Sequence, residues 1–164
     1  MKTLAKLTIK FFENVCFAEI PGTACPESDR QCFIRALNQF LSSGDKGDAF
    51  TVYFCFSEIF KLFGDGYGNT QKLLELLSDH EYHSGELLSK HRDHYSHSVY
   101  VFALGLAIYA NDSAYRVNFL KFYSLLDNNS SHLRFLYLWG MAALFHDIGY
   151  PFQLAHEQIK IYTE

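Results

Sequence analysis

The chain has 164 residues, 17% of them aromatic, and a formal net charge of −4. A single compact domain with a bulky core is the expectation at this size. Mixed charge with a negative balance argues against a general nucleic-acid or membrane-surface binder, either of which would show a basic face.

Lys2 to Ile20 reads as a first helix, stopped by Pro21 and Gly22. Its lysines and apolar patch raise the question of a secretory leader. Lys10, Glu13 and Asn14 interrupt the apolar stretch, which favours an amphipathic helix. Thr23 to Ser28 is a loop containing Pro26. Asp29 can cap a helix to about Ser42, with Phe33, Ile34, Leu37, Phe40 and Leu41 near helical spacing. After a turn to Gly47, Asp48 to Phe63 is a long aromatic and apolar run. TVYFCF alone would pass for a strand, but the run's length and its SEIFKLF ending favour a helix. GDGYGN, Gly64 to Asn69, has the spacing of neither a phosphate-binding loop nor a dinucleotide fingerprint. Thr70 caps a helix from Gln71 to near His80. His80 to Lys90 is polar and irregular, and suits solvent exposure of His80 and His83.

A first core helix spans Arg92 to Ala110. Its apolar part, Val99 to Ala110, is too short to cross a bilayer. Asp112 caps a helix over Ser113 to Leu126, and Asp127 to Ser131 is a solvent loop. The second core helix, Leu133 to Ile148, is apolar on all faces and therefore reads as buried. Gly149 and Pro151 stop it, and Phe152 to Tyr162 forms a last helix. The expected fold is all-α with about seven helices and no internal repeat. Residues 1–90 form an N-terminal helical region without an assigned role, packed on a core of residues 91–164. Cys16, Cys25, Cys32 and Cys55 lack C-x-x-C spacing, which argues against a zinc knuckle or a secreted disulfide framework. They read as packing residues, and the cytoplasm is the expected compartment.

The chemistry concentrates in WGMAALFHDIGYPF, Trp139 to Phe152, where His146 and Asp147 stand side by side in an apolar helix. A buried His–Asp pair is costly unless something satisfies it. The pair falls in the last helical turn, at the negative end of the helix dipole. Neutral imidazole, carboxylate and negative dipole end together suit a divalent cation. Neighbouring helical residues point about 100° apart, so a ligand from another helix must complete the site. His97, where the polar start of HRDHYSHSVYVFALGLAIYA turns apolar, offers one. The structural alternative is an imidazole bonded to its neighbour's carboxylate.

With His97 in HSVYV and AALFHDIGYP some fifty residues later, the sequence resembles the HD superfamily of metal-dependent phosphohydrolases. The resemblance runs from about Arg92 to Phe152. It implies an HD-like helical bundle in which His97, His146 and Asp147 match the first three ligands of the family's H…HD…D pattern. It further implies a divalent cation (Mn, Fe, Zn, Ni or Mg) and a small phosphorylated substrate, a nucleotide above all. The chain departs from the pattern twice. Tyr150 follows HDIG where many members carry Lys, and no Asp follows Asp147. The expectation drawn from these departures is a fragment or degenerate copy whose metal site lacks its closing ligand unless Glu157 or a partner chain supplies one. A homo-oligomer is compatible with this reading.

Around the three ligands, Arg92 could clamp a phosphate or pair with a surface acid. His91, His94 and His97 share one side of a helix, and His94 could bind phosphate or simply face solvent. Tyr150, His156 and Glu157 follow closely enough to line the same pocket. Besides hydrolysis, two other functions fit the residues: a non-catalytic HD-like module for ligand sensing or protein contact, and a metal-free helical interaction domain.

Overall fold

The computed structural model describes residues 2–20, 25–62, 72, 75, 94–123 and 131–146. Among these, the chain is all-α. Six α-helices follow in order: α1 Lys2–Phe12, α2 Pro26–Ser43, α3 Lys46–Ile59, α4 His94–Asn111, α5 Ser113–Phe122 and α6 Ser131–Phe145. One turn of 3-10 helix, Phe17–Glu19, separates α1 from α2. Residues 72 and 75 also have helical backbone, within the span expected for a helix after Thr70. The expected helix over Phe152 to Tyr162 and the polar stretch His80 to Lys90 lie outside the described residues.

Local chemistry sets the boundaries. Helix α1 stops at Phe12, eight residues before the expected Ile20. The backbone amides of Asn14 and Val15 close tighter turns onto the carbonyls of Phe11 and Phe12, and the Asn14 side-chain Nδ2 donates to the Lys10 carbonyl. The redirected chain then buries Val15, Phe17 and Ile20. Helix α2 begins earlier than Asp29, at Pro26, whose fixed φ and missing N–H suit a first helical position. It ends on Gly44 at φ 70°, where the Gly44 amide bonds the Phe40 carbonyl. Asp45 caps α3 by accepting from the Gly47 amide at 2.7 Å. Asp112 caps α5 as expected, accepting from the Tyr115 amide at 3.0 Å.

Helix α4 is the centre of the bundle. Its buried residues, from Tyr95 to Tyr109, cover more than half of its circumference, leaving His97, Leu104 and Ile108 on an outer stripe, and it packs on α1, α3, α5 and α6. Helices α2 and α3 form a second packed pair, with α1 against α2. The core is largely rings: Tyr109 stacks on Phe135 at 3.9 Å, and Phe33 on Phe102 at 5.9 Å. No helix among the described residues is long and apolar enough to cross a membrane.

Two glycines let helices approach closely. A Cβ at Gly105 on α4 would overlap the indole of Trp139 on α6. A Cβ at Gly140 on α6 would overlap the ring of Phe56 on α3. The Trp139 ring is also tied down, its Nε1 donating to the Phe102 carbonyl at 3.0 Å. We therefore expect Gly105→Ala to lower unfolding free energy by about 1–3 kcal/mol through overpacking. Urea denaturation checks this; helix propensity alone would instead give a gain of up to about 1 kcal/mol.

His132, near the start of α6, packs on Tyr109 at 5.6 Å and on Phe11 at 6.4 Å. Burial holds its imidazole below the usual range, and the Arg116 charge adds to this. The unfolded chain therefore takes up the His132 proton first on acidification. Stability from this residue is complete above about pH 6.5 and falls as pH drops below it. Denaturation at pH 7.5 and pH 5.0 is expected to show a smaller acid loss in His132→Gln than in the parent.

Candidate metal centre

The candidate ligands sit where α4 begins and α6 ends. Three contacts fix how these helices run. Tyr109 meets Phe135, Gly105 meets Trp139, and His97 meets His146. As the position on α4 falls, its partner on α6 rises, so the helices are antiparallel. His97 stands eight residues before Gly105, and His146 seven residues beyond Trp139. At 1.5 Å per residue, these are about 12 Å and 10.5 Å of helix axis. The imidazoles consequently arrive at one level, with ring centroids 6.1 Å apart and planes inclined by 64°.

Two imidazoles at this distance stand close to the span of one shared ion. An imidazole nitrogen lies about 1.1 Å from its ring centroid and about 2.0–2.1 Å from a bound zinc. At a tetrahedral angle, two rings on one ion have centroids roughly 5 Å apart, so these two rings would close by about 1 Å to share one. The His146 ring is also oriented. Its Nδ1 lies 2.9 Å from the Ala143 carbonyl oxygen. A carbonyl can only accept, so Nδ1 carries the proton, and in the neutral ring the lone pair is on Nε2. Metal-binding histidines are commonly oriented in this way by a backbone carbonyl. Sequence gave no signal for the Ala143 contribution, because every residue has a carbonyl.

The apolar run suggested that His146 is buried beside Asp147, but the His146 imidazole is exposed, and so is that of His97. The reason is geometric. On α4, the flanking Tyr95, Ser96, Ser98 and Val99 turn inward and leave His97 on the outer side. On α6, Ala143 and Leu144 are the last buried residues, and His146 follows the helix end. Below the pair, Phe145 packs against Tyr53 at 5.7 Å and Phe56 at 6.3 Å, which anchors the end of α6 in the core.

His94 begins α4, half-buried, one turn before His97. Arg92, Asp147, Tyr150, His156 and Glu157 lie outside the described residues. Among the described residues, no group of three or more His, Cys, Asp or Glu side chains is placed to hold a metal. The two histidines form the described part of the candidate centre. Comparison with protein-family models, curated proteins and solved structures finds no match for this chain.

Because both histidines are exposed, either can be replaced without opening the core. Adding Zn or Ni ions to the metal-free chain is expected to raise stability by about 2.7 kcal/mol at a hundredfold excess over Kd. His97→Ala and His146→Ala should each remove most of that gain in a thermal-shift titration. A gain that survives both substitutions would place binding elsewhere.

Proposed function

We propose that this chain is a metal-dependent phosphohydrolase of the HD superfamily acting on a nucleotide or another phosphate ester. The observation that carries this reading is the meeting of His97 and His146 across α4 and α6 at 6.1 Å. These are the two histidines that the H…HD resemblance singles out, and they come from separate helices, as a shared ligand set requires.

In this reading, His97, His146 and Asp147 hold the cation, with Glu157 or a partner subunit adding a further ligand. The chemistry such a cation supplies when bound is polarisation of a phosphoryl oxygen and acidification of a water near neutral pH. The chain's own groups do the rest. The Ala143 carbonyl holds the His146 proton on Nδ1 and so keeps Nε2 as the donor atom. The Asp147 carboxylate supplies negative charge toward the cation. Arg92 and His94 offset phosphate charge, the former through a fork that matches phosphate oxygens.

Tyr150 favours a second reading. It stands after HDIG where many members of the superfamily carry Lys, and it removes a cation that could serve phosphate chemistry. In that reading the helical core and its cation serve ligand sensing or protein contact without hydrolysis.

A panel of nucleoside mono-, di- and triphosphates and a chromogenic phosphodiester, assayed with each candidate cation, separates the two. Hydrolysis is expected to require the cation and to fall to background in His146→Ala and Asp147→Ala. Cation binding with no turnover on any member would favour the sensing module. Turnover that persists in both variants would contradict the proposed centre.

A further inference from the structure

Cys32 on α2 and Cys55 on α3 stand with their Sγ atoms 3.7 Å apart. Although separated by more than twenty residues of chain, they are neighbours because α2 and α3 fold back on each other around Gly44 and Asp45. Polar contacts hold this hairpin in register. Gln39 donates to the Asp48 carboxylate at 2.7 Å, and the Ser43 hydroxyl donates to its other oxygen. The two thiols differ in access: Cys32 is exposed and Cys55 is buried.

We propose that Cys32 and Cys55 form a reversible disulfide, driven by exchange with a low-molecular-weight disulfide such as oxidised glutathione. The Cys32 thiolate attacks one sulfur of that disulfide, forming a mixed disulfide and releasing the first small thiolate. Cys55 then gives up its proton and attacks the Cys32 sulfur, forming the protein disulfide and expelling the second. Two protein thiols are oxidised and one small disulfide is reduced to two thiols. A disulfide bond is about 2.05 Å long, so the sulfurs must close by less than about 2 Å, shared between two rotatable side chains.

The unequal surroundings set the order of these steps. Burial pushes the Cys55 thiol up to about 12, and the neighbouring Cys32 adds to the rise. Cys55 therefore rests protonated, and the first attack falls to the exposed Cys32. Capping Cys32 in the mixed disulfide removes its negative charge beside Cys55, which eases the second step. The bridge ties α2 to the helix that carries Phe56, the ring seated at Gly140 of α6. It is a staple in the scaffold behind the imidazole pair.

The test is treatment of the reduced full chain with oxidised glutathione, followed by intact-mass and peptide-mapping spectrometry. The expected product has lost two hydrogen atoms and contains a peptide joining Cys32 to Cys55. The bridge should vanish in Cys32→Ser and persist in a Cys16→Ser, Cys25→Ser double variant. The melting midpoint should rise by about 5 °C or more and return on reduction. A lasting glutathione adduct on Cys32 without a bridge would overturn the proposal. So would a bridge through Cys16 or Cys25, or an unchanged midpoint.

Discussion

The indole of Trp139 fills the space where any side chain at position 105 would stand, and much of the bundle depends on that contact. Glycine within a helix costs about 1 kcal/mol relative to alanine. Burying a large apolar side chain returns roughly 1.5–3 kcal/mol, so the close packing wins at both glycines. The Trp139 bond to the Phe102 carbonyl gives this packing a fixed position along α4. With that position fixed and the helices antiparallel, the start of α4 and the end of α6 must coincide. Phe56 over Gly140 holds α6 from its other neighbour, α3. The meeting of His97 and His146 is thus a consequence of core packing twelve or so ångströms away.

The two histidines lie outside the buried core. Both are exposed, and fixing an exposed side chain costs conformational entropy with little apolar burial in return. The His146 bond to the Ala143 carbonyl is worth roughly 0.5–1.5 kcal/mol, enough to offset that entropy and bias the ring toward one orientation. In the proposed reading, a cation between the two rings would use the His146 donor that the Ala143 carbonyl orients. Their exposure also means that an ion can reach both imidazoles without opening the core.

The sequence displayed most of the helical architecture. The apolar runs of α3, α4 and α6 and the Asp112 cap are visible in residue spacing. What spacing could not display was tertiary choice. Phe17 and Ile20 look like continuing helix, yet the chain turns at Asn14 to bury them separately. Lys46 and Gly47 read as turn, but an Asp45 cap draws them into α3. The pairing of His97 with His146 was legible through the H…HD resemblance. Their exposure was not, because an apolar run does not reveal which residue of a helix faces away from the core. Cys32 and Cys55 read as separate packing residues, since nothing in their spacing records that α2 and α3 form a hairpin.

A crystal of the full chain grown or soaked with Mn, Zn or Ni and measured at that metal's absorption edge tests the central claim most directly. The account predicts an anomalous-scattering peak between the imidazoles of His97 and His146, with the Asp147 carboxylate beside it. No peak between those rings after soaking, or a metal bound only elsewhere on the chain, would contradict it.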